Sequence, residues 1–211
     1  RAAEADLLRD ERYKSRLAWV ALPAAILLHS ITAWIFGLQV SRGFWYTALM
    51  APLFVASALV SGTGLMILLS LILRRTGRVS FGDGLVSSLG GLLGAFIAVE
   101  AFFVFSEMLT AAYPGAAFEA DPVARLLSGR YAPFFWFEVV VGLVVPLVIV
   151  AFVRTRRSMG WIAVASVLAI VGIFVHRFNI VLNGLSFATV PYPPGVPIGT
   201  SQAAGTGSFT L

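Results

Sequence analysis

The ionisable side chains that interrupt the long apolar runs of this chain are of the types that move protons or hold charge. His29, with Ser30 and Thr32 beside it, lies within residues 17–42. Glu100 and Glu107 lie within 85–110, Glu138 within 134–153, and His176, Arg177 and Asn179 within 160–183. Histidine titrates near neutrality, and a carboxylate taken out of water is a natural proton acceptor, so these types together suit proton transfer. Two histidines on separate helices could also ligate one haem iron, and an arginine among carboxylates could form an ion pair. Glu100 and Glu107 are seven residues apart, which puts both on nearly one helix face. Each charged group left against lipid would cost about 2.5–3.5 kcal/mol on insertion scales. The bland readings are interhelical hydrogen bonding for the histidines, a structural ion pair for Arg177, and an interfacial position for Glu107 and Glu138. What resists them is concentration: these groups crowd one end of the apolar runs and leave the other end almost bare.

The elements that position these residues follow from composition. Of 211 residues 59% are hydrophobic and 12% charged, and the mean hydropathy is +0.91. That is the profile of an all-α, polytopic transmembrane helix bundle rather than a water-soluble domain. Five spans are expected, at about 17–38, 47–73, 85–110, 134–153 and 160–183, each long enough for a bilayer core. Pro23 is expected to kink the first. Ser61–Gly64 (SGTG) and the pair Gly90 and Gly94 are small-residue faces that allow close helix contact. With no cysteine, disulfides and cysteine-ligated zinc or iron–sulfur sites are excluded.

The net charge of +5 could suggest nucleic acid, but the basic residues sit in short loops where membrane topology explains them. Arg1, Arg9, Arg12, Lys14 and Arg16, then Arg74, Arg75 and Arg78, then Arg154, Arg156 and Arg157 mark one side. Arg42, Arg125, Arg130 and Arg177 mark the other. This alternation predicts a cytoplasmic lead-in at 1–16, a bundle at 17–188 and an extracytoplasmic Pro/Gly-rich tail at 189–211. At about 1.5 Å per residue, His29 and Glu100 fall near the membrane midplane, and Glu107, Glu138, His176 and Arg177 in the outer half. A buried polar cavity opening outward is expected, with Arg177 paired to Glu138 or Glu107. The first and last residues read as a cut from a longer protein rather than a processed signal peptide.

Residues 28–65 resemble the NrfD / polysulfide reductase membrane-subunit family. The pattern is His29-Ser30, then Trp34, then Pro52, Phe54 and Ser61-Gly62 opening the next helix. His176–Gly184 (HRFNIVLNG) resembles a late signature of the same family, and Tyr131-Ala132-Pro133 also fits. The resemblance covers roughly residues 15–195. It implies an integral quinone-reactive subunit of a multisubunit respiratory-type oxidoreductase in the bacterial cytoplasmic (inner) membrane, with further spans beyond these five. The partners implied are an iron–sulfur electron-transfer subunit on the extracytoplasmic face, other subunits of the complex and membrane lipid, with no nucleic acid. The substrate implied is menaquinone or ubiquinone, with no haem, iron–sulfur cluster or metal in this chain.

On that reading His29 hydrogen-bonds a quinone oxygen, with Ser30 or Gln39 nearby, while Glu100 and Glu107 relay protons. Arg177 and Asn179 line the pocket. Two rivals remain. A b-type cytochrome anchor would use His29 and His176 as axial ligands. A proton-coupled transporter would use midplane Glu and His, but predicts an inverted repeat that these five spans do not display.

Overall fold

The computed structural model describes residues 2–39, 44–77, 82–113, 123–124, 126–156 and 158–185; the tail expected at 189–211 lies outside them. Among the described residues there is helix and no strand. Five helices are long and apolar enough to cross a membrane, so this is a multi-pass membrane protein. They are α1 (Ala2–Gly37), α2 (Met50–Arg75), α3 (Asp83–Ala112), α4 (Ala132–Ala151) and, after the short turn α5 (Val153–Arg156), α6 (Met159–Leu185).

Each helix begins and ends for a local reason. α1 runs without interruption from the charged lead-in through Pro23 into the span, so the lead-in and the first span are one helix. α2 ends where Gly77 takes a left-handed φ of 70°, a conformation that suits glycine at a helix C-terminus. α4 starts at Ala132-Pro133, where proline's missing N–H would have no partner anyway. Inside α4 a wider π turn covers Phe137–Val144, just ahead of Pro146. Pro146 cannot donate to the ladder and its ring crowds the preceding turn, and a π segment is one way a helix absorbs that conflict.

The helices assemble as a four-membered bundle with one outrider. α2 packs on α3 and α6, α6 also packs on α3 and α4, and α3 packs on α4. Among the described helices α1 touches α2 alone. The buried stripe of α3 is Val86, Gly90, Leu93, Ile97, Glu100, Val104 and Glu107, a three-four spacing that aims one face at the bundle axis. The closest approach is between α4 and α6, where Gly142 and Gly172 meet backbone to backbone and leave no room for a Cβ. Of the SGTG face, Gly64 is tight against Ile170 and the Ser166 carbonyl, whereas Gly62 faces open space. Gly94 packs against Val150 of α4, where an added Cβ would stand 2.7 Å from Cγ2.

Candidate functional site

The bundle axis carries a stripe of polar residues where most such axes carry leucine. α6 supplies His176 and Asn179, three apart and therefore on one face. α3 supplies Glu100 and Glu107, about one and three turns beyond Ile97, and the π segment of α4 supplies Glu138. All five side chains are buried.

Glu138 is the hub. His176 Nδ1 donates to its Oε1 at 2.7 Å, and Asn179 Nδ2 donates to its Oε2 at 2.8 Å. With Nδ1 bonded to Glu138, Nε2 faces a second carboxylate. Glu100 Oε1 lies 4.0 Å from Nε2, beyond hydrogen-bond range. Among the described residues neither Glu100 oxygen has a partner, nor does Glu107 Oε1, Asn179 Oδ1 or His176 Nε2. The chamber is thus rich in acceptors and short of donors. A cleft lined by Glu107, Glu138, His176 and Asn179 is also lined by Phe44, Val104, Met108, Leu126, Phe135 and Ile180. Its free volume of about 10 Å³ is room for a single water, not for a ring.

Trp45 locks this end of the bundle. Its indole N–H donates to the Ile180 carbonyl at 2.8 Å, and its ring lies against Gly184. Phe36 of α1 meets the same ring edge-on, with centroids 5.1 Å apart.

Other expectations require correction. Arg177 does not pair with Glu138 or Glu107. One residue past His176 it points about 100° away, toward α2, where its guanidinium donates to Ser57 Oγ at 2.7 Å and to the Phe54 carbonyl at 3.3 Å. It also lies 3.6 Å from the centre of the Phe54 ring. His176 takes the carboxylate that Arg177 was expected to take.

His29 is not in the chamber either. Its Nδ1 donates to its own helix, at the Ala25 carbonyl (2.9 Å), and it lines a groove of about 170 Å³ with Leu22, Ala25, Ile26, Val55, Ala58 and Leu59. Ser30 likewise donates to the Ile26 carbonyl, and Gln39 is exposed at the end of α1. The two histidines line pockets that share no residue, on helices that do not touch, so they are not arranged to ligate one haem. Glu138 and His176 are the site residues that sequence reasoning left out of its proton-handling set. The available signal was His-x-x-Asn on an apolar helix, a spacing that presents two polar groups to one partner.

Residues 5–189 match the family model for polysulphide reductase, NrfD. The protein belongs to the NrfD family. It is 36% identical over 199 residues to a putative dimethyl sulfoxide reductase membrane subunit of Halobacterium salinarum, covering 94% of this chain and 46% of that protein. It is 29% identical over 181 residues to an Hdr-like menaquinol oxidoreductase integral membrane subunit of Archaeoglobus fulgidus (85% and 45% covered). A polysulfide reductase chain of Wolinella succinogenes is 28% identical over 171 residues (80% and 53%). The chain spans about half the length of these curated relatives, and the Glu–His–Asn chamber of this NrfD protein is described from the residues of that half.

Proposed function

We propose that this chain is the quinone- or quinol-interacting membrane subunit of a respiratory-type oxidoreductase. It would exchange electrons between the quinone pool, menaquinone or ubiquinone, and an iron–sulfur partner subunit docked on the extracytoplasmic face of the inner membrane. The observation that carries the reading is the buried Glu100–His176–Glu138 cluster at membrane depth in an NrfD protein. Oxidising a quinol releases two protons with two electrons, and a site inside a bilayer needs protein groups to receive those protons. Relatives named as subunits of a menaquinol oxidoreductase and of reductases support the assignment.

The chamber is too small for a quinone ring, so the ring belongs nearer α1. His29 is the proposed hydrogen-bonding partner: with its Nδ1 proton committed to Ala25, Nε2 is the acceptor offered to a quinol hydroxyl. Binding-site dimensions also favour a roomier place, a cavity of about 490 Å³ at the end of α1 lined by Trp34, Gly37, Leu38, Tyr46, Thr47 and Ala48. That is within the range of small-molecule sites, roughly 300–1,000 Å³.

Substitution separates the two. His29→Ala in the assembled complex is expected to lower quinone-linked turnover by about 10²-fold or more, the scale of a positioned acid or base. Electron transfer between soluble dyes and the iron–sulfur partner should persist. If turnover stays within about a factor of two, His29 is a packing residue. Trp34→Ala and Tyr46→Ala then become the decisive variants, and full turnover in all three would overturn the assignment of a quinone site to this chain.

A further inference from the structure

The chamber has a property that a static ion pair does not need. His176 stands between two carboxylates but bonds only one. Glu138 is held through both oxygens, by His176 Nδ1 and Asn179 Nδ2, whereas Glu100 is fully buried with both oxygens unpartnered among the described residues. A buried ionised carboxylate with no donor is costly, so Glu100 must either carry a proton or find a donor. The donor nearest to hand is the imidazole ring, whose Nε2 is also unpartnered and lies 4.0 Å away. Closing that gap by about 1 Å brings it within hydrogen-bond range. A change of that size is available to a glutamate side chain by rotation about its own bonds.

We propose that His176 is a proton carrier with two landing points, taking a proton from Glu100 and passing one to Glu138. This deepens the proton-handling role proposed above and rests on it. In the transfer, the Glu100 O–H bond breaks and an Nε2–H bond forms, leaving a glutamate and an imidazolium. The Nδ1–H bond then breaks as the proton moves to Glu138 Oε1, leaving Glu138 neutral and the ring neutral with its proton on Nε2. One proton moves and no electrons do.

The groups facing His176 are Glu100 and Glu107 from α3 and Glu138 from α4. Arg177, next in its own helix, donates to the Phe54 carbonyl and the Ser57 hydroxyl of α2 and acts on Glu100 through its charge. Glu107 lies about 10 Å further along α3 than Glu100 and is not one of the two landing points. Phe44, Leu126 and Phe135 line the same cleft. Asn179 is the positioning residue: it holds the second Glu138 oxygen through a 2.8 Å hydrogen bond.

The test is infrared difference spectroscopy on membranes holding the assembled complex, comparing wild type with Glu100→Gln and His176→Gln. Glutamine at 176 retains an N–H for Glu138 but cannot carry a proton. In wild type, a carboxylic-acid C=O band that shifts in D₂O should rise and fall with pH together with an imidazole ring band. Glu100→Gln should abolish that carboxyl band. His176→Gln should keep it but uncouple its titration, and should slow proton release in vesicles by about 10²-fold. A carboxyl band that survives Glu100→Gln, or that titrates identically in wild type and His176→Gln, overturns the proposal. The infrared readout needs no quinone. A protein that passes this test but fails the His29, Trp34 and Tyr46 series therefore overturns only the quinone assignment.

Discussion

At the scale of single residues, buried partners decide which substitutions matter. Glu138 satisfies a histidine and an asparagine at once. Glu138→Ala removes an acceptor from both, and losing one partner of a buried pair costs about 3–5 kcal/mol. The amount of assembled, heat-stable complex should fall sharply, while Glu138→Gln, which keeps an acceptor oxygen, should retain most of it. Comparing yield and melting midpoint of the two variants checks this. Arg177 is held differently, by a ring face, a hydroxyl and a carbonyl of α2. Lysine carries the charge but lacks the flat guanidinium that stacks and forks. Arg177→Lys should lower the melting midpoint, and so should Phe54→Leu. The double variant should lose less than the sum of the two, because both remove the same contact. Strict additivity would mean the stacking contributes nothing.

At the scale of helices, the contact surfaces make the glycines unequal. Gly142 and Gly172 abut each other's backbone, which has no flexible end to move aside. Alanine at either position must push α4 and α6 apart, so a loss of about 1–3 kcal/mol is expected. Gly184→Ala should behave similarly, because its Cβ would enter the Trp45 indole. Gly62→Ala meets nothing and should be neutral within about 0.5 kcal/mol. Melting midpoints of the four variants in lipid nanodiscs test the order, and a Gly62→Ala as damaging as Gly142→Ala would contradict this packing.

For the whole molecule, orientation in the membrane follows from charge. Thr76, after α2, and Ser128, before α4, are both exposed and lie at opposite ends of the bundle's helices. The excess of Lys and Arg on the Thr76 side predicts that side to be cytoplasmic. Because the sequence has no cysteine, Thr76→Cys and Ser128→Cys each introduce a single label. An impermeant maleimide applied to intact cells should react at 128 and not at 76. Reaction at both positions, or the reverse pattern, would contradict the orientation.

How much was legible in the sequence divides along a physical line. The spans were, to within about two residues at most ends, because the length and apolarity of a bilayer crossing are local properties of consecutive residues. So were the kinds of chemical group and their places along each helix, since position along a helix is a count of residues multiplied by a fixed rise. Azimuth and neighbour choice were not. His176 and Arg177 are adjacent in sequence and alike in depth, yet a turn of about 100° sends one to Glu138 of α4 and the other to Phe54 of α2. His29 and Glu100 were both expected near the midplane but do not share a chamber, because among the described helices α1 packs on α2 alone. Which groups meet depends on which distant helices touch, and on a π turn in α4 that aims Glu138 inward. Those are outcomes of packing among all the helices together, and no single stretch of sequence holds them.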